Sequence, residues 1–272
     1  VPVSADTPSR RPLSGRTVLA VFAHPDDESL ACGGTLARLA DAGARVAILC
    51  ASHGENGSVS DPALVQGSDL GTVRVRELRE AAAVLGARDV LVFDHPDGDL
   101  RWAHVQALRA EIIMTIERFR PDVVITFGED GLYWHLDHVG VHERTTMAIR
   151  TIGSEAPPLY YVTLPVGVMA EIVNAARARG GAPADSSLWG IAPDVFGVHA
   201  APPSFVVDVR EWVPRKMTAL RCHRTQLGPQ SPFAWIDDDD ARRWLGIEQF
   251  RRAPTPGIDT DVLEQLGERV AS

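Results

Sequence analysis

The chain has 272 residues, 45% hydrophobic and 23% charged, a composition ordinary for a globular protein and a length able to bury a core without disulfide staples. Its net charge of -9 argues against a nucleic-acid-binding surface, and the scattered Cys32, Cys50 and Cys222, with no CxxC spacing, exclude a disulfide framework and a cysteine zinc knuckle. No stretch approaches the ~20 apolar residues that span a bilayer, and Val1 to Ser14 lacks the apolar core of a secretory signal, so it reads as a flexible tail on a cytoplasmic protein.

In chain order, Thr17 to Phe22 (TVLAVF) is a predicted strand that ends at His24-Pro25, because proline cannot continue a ladder. Gly34 to Ala42 has helical spacing and a glycine stop at Gly43. Arg45 to Ala51 is a second strand, Thr72 to Leu85 a helix closed by Gly86, Val90 to Phe93 a third strand and Trp102 to Phe119 a long amphipathic helix. After Pro121 comes a fourth strand, Val123 to Phe127. Apolar strands alternating with helices predict an α/β fold: a Rossmann-like, mostly parallel sheet with helices on both faces. The expected layout is a tail over 1–14, a catalytic core over 15–164 and a smaller C-terminal region over 165–272 that completes the pocket.

After about Tyr161 the pattern weakens. Val166 to Val198 is rich in Ala, Gly and Pro, with Trp189 and Phe196 its large apolar residues. Phe205 to Val209 reads as a late strand and Glu211 to Arg224 as a helix. Asp237 to Asp240 and the tail from Pro254 read as solvated surface.

Ligands of such sheets sit beyond the carboxyl ends of the strands, and the polar segments His24 to Glu28, Ser52 to Gly57, Asp94 to Asp99 and Gly128 to His138 all follow strand ends. They should form one site. His24 and Asp27, with His138 from His135-Leu136-Asp137-His138, supply two imidazoles and a carboxylate, enough for a catalytic zinc that keeps one position for water. Asp26 would then stand beside the metal as general base. His135 can donate to the developing oxyanion or protonate the leaving amine, and Asp137 can orient its ring. Taken singly, the same residues also read as a loop cap and a helix cap; the pairing of both motifs at strand ends favours chemistry.

The residues AHPDDE after the first strand and HxDH after the fourth resemble the LmbE-like, or PIG-L, deacetylases over about the first 150 residues, with a fainter likeness at Lys216 to Gln226. The resemblance implies zinc on His24, Asp27 and His138, Asp26 as base, His135 stabilising the tetrahedral intermediate and Asp137 tuning it. It implies N-acetylglucosaminides and related N-acyl amino sugars as substrates, held by Arg74 and Asp97. The partner implied is thus a small amino sugar, with no nucleic acid and no membrane span, and a homo-oligomer is compatible.

Other histidines carry less. Asp94-His95-Pro96-Asp97 lacks the second Asp, and His138/His142 lacks the Glu of a zincin helix, since residue 139 is Val139. His142 reads as a helix-face residue, His53, His104 and His199 as surface or loop, and His223 as either pocket neighbour or packing. Glu28 either faces the site or favours the helix start. Tyr133 and Trp134 either stack on a sugar or anchor their loop, and Phe233 and Trp235 either line a pocket or fill a gap. Competing readings are an amidase of thiol-sugar conjugates or N-acylated antibiotic glycosides, a noncatalytic scaffold, and an NAD-binding protein. HPDDESLACGG disfavours the last by placing carboxylates where a pyrophosphate would sit. Ferrous iron also suits two histidines and one carboxylate.

Overall fold

The computed structural model describes residues 12–181, 188, 190–258 and 262–269. Its centre is five parallel strands: β1 (Thr17–Phe22), β2 (Arg45–Cys50), β3 (Asp89–Val92), β4 (Val123–Phe127) and β5 (Leu159–Thr163). β1 runs in register with β2 from Thr17↔Arg45 to Phe22↔Cys50. Val18 to Phe22 and the whole of β4 are buried, as continuous apolar runs covered on both faces must be.

Between the strands run α1 (Asp27–Asp41), α2 (Leu70–Leu85), α3 (Val105–Phe119), the single turn α4 (Gly131–Trp134) and α5 (Leu136–Ile152). α1 packs with α2, and α3 with α5. α2 starts two residues before the predicted Thr72 because Asp69 caps it, accepting from Thr72 N at 2.8 Å, and it ends at Gly86 with φ 81°. α3 starts at Val105, leaving Trp102 64% exposed.

The predicted helix from Gly34 is the second half of a longer one. α1 begins at Asp27 and breaks at Cys32 (φ -149°, ψ 26°); Gly34 N and Thr35 N then donate to the buried Glu248 carboxylate at 2.9 and 2.7 Å. Glu248 thus caps a second helix start, and Lys216 Nζ, 2.6 Å away, balances its charge. No local pattern carries that break, because its cause lies 214 positions along the chain.

The C-terminal part adds α6 (Val168–Ala178), β6 (Phe205–Asp208), α7 (Val213–Cys222), α8 (Asp238–Leu245), β7 (Ile247–Arg252) and β8 (Glu268–Arg269). The eight strands lie in the order β3-β2-β1-β4-β5-β7-β6-β8, the last three antiparallel. α6 was not expected, yet Val168, Met169, Ile172, Val173 and Ala176 fall on one buried helical stripe. Asp237 to Asp239 are solvent-exposed as expected, with Asp237 capping α8 by accepting from Asp239 N and Asp240 N and Arg179 bridging Asp237 and Asp240. The reading of the tail as solvated surface is corrected. Beyond Pro254, Val262 and Leu263 are buried and Tyr160 Oη donates to Glu264.

At the other end, Leu13 is buried and its amide donates to Ala42 O at 2.9 Å, so packing begins inside the segment read as tail; residues 1–11 lie outside the described residues. Trp189 also lies outside them, whereas Phe196 is buried against the Tyr133 ring. No helix among the described residues is long and apolar enough to cross a membrane.

Candidate active site

β1 and β4 are neighbours, and the chain runs outward from them in opposite directions, β2 and β3 to one side and β5 to the other. Loops after β1 and β4 therefore part from each other and leave a crevice at the carboxyl ends. The predicted site residues meet there. A cavity of about 310 Å³ is lined by His24, Asp26, Asp27, Arg74, Asp97, His135 and His138. Asp137 is buried behind it.

Asp27 sits between two imidazoles. Its Oδ1 lies 3.1 Å from His138 Nε2, and its Oδ2 lies 3.5 Å from His24 Nδ1 while accepting the His24 amide at 2.8 Å. The far nitrogens are held from outside. His138 Nδ1 faces Gly131 O at 3.1 Å; a carbonyl only accepts, so this nitrogen carries a proton, and Nε2 is the nitrogen turned toward Asp27. His24 Nε2 faces Asp97 Oδ1 at 3.0 Å and Asp137 Oδ2 at 3.1 Å, which leaves Nδ1 for Asp27. Outer oxygens that fix the tautomer of an inward imidazole are the usual support of a metal-binding histidine. His24, His135 and His138 each bring a ring nitrogen within 4.8 Å of the others. The imidazoles of His24 and His138 with the Asp27 carboxylate are a donor set that fits a divalent first-row ion.

Electrostatics separate the groups further. Burial opposes charge on Asp27, but His138 and His24 hold its carboxyl well below the ordinary range. Burial also opposes a charged His24, yet Asp137, Asp27 and Asp97 raise its pKa well above the usual value. Burial, reinforced by His138 and His24, lowers His135 to about 4, so its ring is neutral near pH 7. Burial works against the charge of Asp97 as well, but the bond to His24 brings it down to about 2.

Asp26 turns the other way. Its backbone has φ 116° and ψ -28°, a conformation that costs a non-glycine residue on the order of 1–3 kcal/mol and recurs at functional sites. Its amide donates to Glu28 Oε2 at 3.0 Å, and Arg74 Nη2 reaches its Oδ2 at 3.2 Å. Burial pushes its carboxyl up to about 6, with Arg74 pulling the other way. Arg74 itself is buried, donating to Gly54 O at 2.7 Å and Pro25 O at 2.6 Å. Gly54 is required for this approach: a Cβ there would lie 2.3 Å from Arg74 Nη1, at φ 66°.

One expected contact is not formed. The Asp137 carboxylate does not hold the His135 ring; it accepts from Gly98 N at 2.7 Å and Leu100 N at 2.9 Å and meets His24. His135 is the cap residue of α5 and Asp137 its second residue, so the cap brings the Asp137 amide to His135 Nδ1 at 3.3 Å instead. That amide donates, so the proton of a neutral His135 ring resides on Nε2.

Sequence reasoning missed Asn56, whose amide donates to Asp97 Oδ2 at 2.8 Å and whose side chain donates to Asp97 O at 2.7 Å. It also left Gln226 without a role; its side chain donates to Ser58 O. Both line the cavity, along with Leu30, Ile191, Leu220, Leu227 and Phe233. Asn56 lies in a segment already marked as polar and following a strand, which was the available signal. Of the open aromatic pairs, Tyr133 and Phe233 line the cavity, while Trp134 is 53% exposed and Trp235 donates to Pro229 O. His142 is a helix-face residue bonded to Phe127 O, His53 pairs with Asp94, His95 with Glu111, and His199 lies beside the Trp134 ring.

Residues 19–149 match the family model described as PIG-L, GlcNAc-PI de-N-acetylase. A relative in Acidothermus cellulolyticus, named 1D-myo-inositol 2-acetamido-2-deoxy-alpha-D-glucopyranoside deacetylase, is 31% identical, covering 86% of this chain and 88% of its own. A protein of the same name in Thermobispora bispora is 32% identical over 90% of this chain and 91% of its own. Among solved structures, the conserved protein TT1542 from Thermus thermophilus superposes with a TM-score of 0.59 at 25% identity, covering 89% of this chain and 96% of that one.

Proposed function

Since the chain belongs to the PIG-L family of metal-dependent amino-sugar deacetylases, we propose that it hydrolyses the acetamide of an N-acetylglucosaminide, releasing acetate and a free amine. The observation that carries this reading is the division between two consecutive carboxylates: Asp27 faces His24 and His138, whereas Asp26 is held off that cluster by Arg74 and Glu28.

His24, Asp27 and His138 would hold one divalent ion, taken as zinc, with ferrous iron the alternative. When bound, the ion supplies Lewis-acid chemistry, lowering the pKa of water and polarising the amide carbonyl. Asp26 takes the proton of the attacking water as general base. The Nε2–H of neutral His135 donates to the oxyanion of the tetrahedral intermediate; a donor of this kind is worth roughly 10²–10³ in rate. The Asp137 amide sets the His135 tautomer, and its carboxylate holds His24 and the loop after β3. Arg74 and Asp97, with Asn56 and Gln226, line the cavity wall where sugar hydroxyls would sit. Free Cys32, Cys50 and Cys222 suit a reducing, cytoplasmic setting.

The apolar wall of Leu30, Ile191, Leu220, Leu227 and Phe233 favours a second reading, an amidase of a larger conjugate with an apolar aglycone or acyl chain. Amine release should be compared between 1D-myo-inositol 2-acetamido-2-deoxy-α-D-glucopyranoside and an S-alkylated thiol-sugar conjugate. Preferential release from the first supports the proposal, preferential release from the second replaces it with the amidase, and release from neither contradicts both.

A further inference from the structure

The C-terminal region reaches the base loop through a pair of fully buried side chains absent from the cavity lining. Glu28 Oε1 receives His223 Nε2 at 2.9 Å and Ser29 Oγ at 2.5 Å, and Glu28 Oε2 receives the Asp26 amide at 3.0 Å. Both Glu28 and His223 are 0% exposed, and 195 positions separate them. A carboxylate only accepts, so all three donors converge on it. His223 caps the end of α7, the helix that also brings Leu220 to the cavity.

We infer that His223 is a positioning residue for Asp26, acting through Glu28. Asp26 occupies a left-handed backbone conformation that a non-glycine residue keeps only when its surroundings over-determine it. The restraint on its amide is Glu28, and Glu28 is in turn oriented by His223. With His223 removed, Glu28 loses a donor from the distant helix and its hold on the Asp26 amide loosens, so that Arg74 and the capping bonds of Ser29 N and Leu30 N no longer suffice to keep the Asp26 carboxylate in place. The contacts of Asp27 with His24 and His138 do not pass through Glu28 or His223. The α7 segment thereby sets the base while the strand-end loops set the metal. The inference rests on the assignment of Asp26 as base.

The test compares His223→Leu, which fills the space without a donor, with His223→Gln, which keeps one. Assayed as zinc-loaded protein, the leucine variant should lose about 10–100-fold in kcat with KM little changed and metal content intact, and the glutamine variant should recover most of that loss. In the metal-free proteins, the Asp26 amide should exchange with deuterium faster in His223→Leu than in wild type or His223→Gln. If the leucine variant does not fold, Ser29→Ala, which removes the other donor to the same oxygen, takes its place with the same expectation. Unchanged kcat and unchanged exchange overturn the inference, as does a rate loss that tracks metal loss or one that glutamine fails to restore. Wild-type inactivity on N-acetyl amino sugars would instead count against the proposed function, and amide exchange would still judge the positioning role.

Discussion

Gly54→Ala separates backbone strain from the displacement of a specific side chain. A Cβ at this position would lie 2.3 Å from Arg74 Nη1 and 2.4 Å from Arg74 Cζ, and the residue has φ 66°. The left-handed backbone costs alanine roughly 1–2 kcal/mol. The guanidinium must also leave a buried berth in which it donates to Gly54 O, Pro25 O and Asp26, and each bond to a charged group is worth about 1.5–3 kcal/mol. Losing one of them brings the total to about 2.5–5 kcal/mol, a fall in Tm of very roughly 5–20 °C for a chain of this size. Gly67→Ala is the control. Its φ is 78° but nothing lies within 4 Å of the added Cβ, so it carries the backbone cost alone. Thermal unfolding should show the larger loss in Gly54→Ala, and kcat/KM on an N-acetylglucosaminide should fall about tenfold or more, or ~1.4 kcal/mol of barrier, with metal content unchanged. Equal Tm loss in both variants, with kcat/KM preserved in Gly54→Ala, would refute the role given to Arg74.

Asp26→Ala should keep the metal and lose about 10²–10⁴ in turnover, the usual value of a general base, whereas His24→Ala should lose the metal itself; metal analysis beside initial rates distinguishes the two. Lys216→Ala leaves the Glu248 carboxylate buried without its partner, and urea unfolding should show a loss of about 3–5 kcal/mol. Bonds from Arg45 at 2.7 and 2.8 Å lower the Asp89 pKa below the usual carboxylate value. A carboxyl with a depressed folded pKa stabilises above its unfolded value and loses that contribution as pH falls through the folded one. Arg45→Gln should therefore be slightly less stable than wild type at neutral pH and converge with it in strong acid; a gap that persists at low pH would contradict the assignment.

The first four parallel strands were legible because each is a short apolar run ended by Pro, Gly or a polar loop, and buried parallel strands leave that trace, whereas β5 lies where the pattern weakens and was not read. His24 and Asp27 could be paired with His138 because the order of strands and helices places the ends of β1 and β4 on one edge. What stayed hidden depends on partners distant in the chain. The break of α1 at Cys32 answers to Glu248, and the conformation of Asp26 answers to Glu28 and through it to His223. The Asp137 side chain was assigned to its neighbour in the motif, but the cap geometry of α5 turns it toward His24 and the loop after β3. α6 was readable from its stripe of Val168, Ile172 and Val173 and was obscured by the surrounding Ala and Gly.

The most direct test of the central claim measures metal content together with free-amine release from N-acetylglucosaminides, before chelation, after chelation, and after zinc is returned. The account predicts about one equivalent of metal per chain, loss of release on chelation and its recovery with zinc. Release that persists in fully chelated protein, or protein purified without chelator that holds no metal, would contradict it.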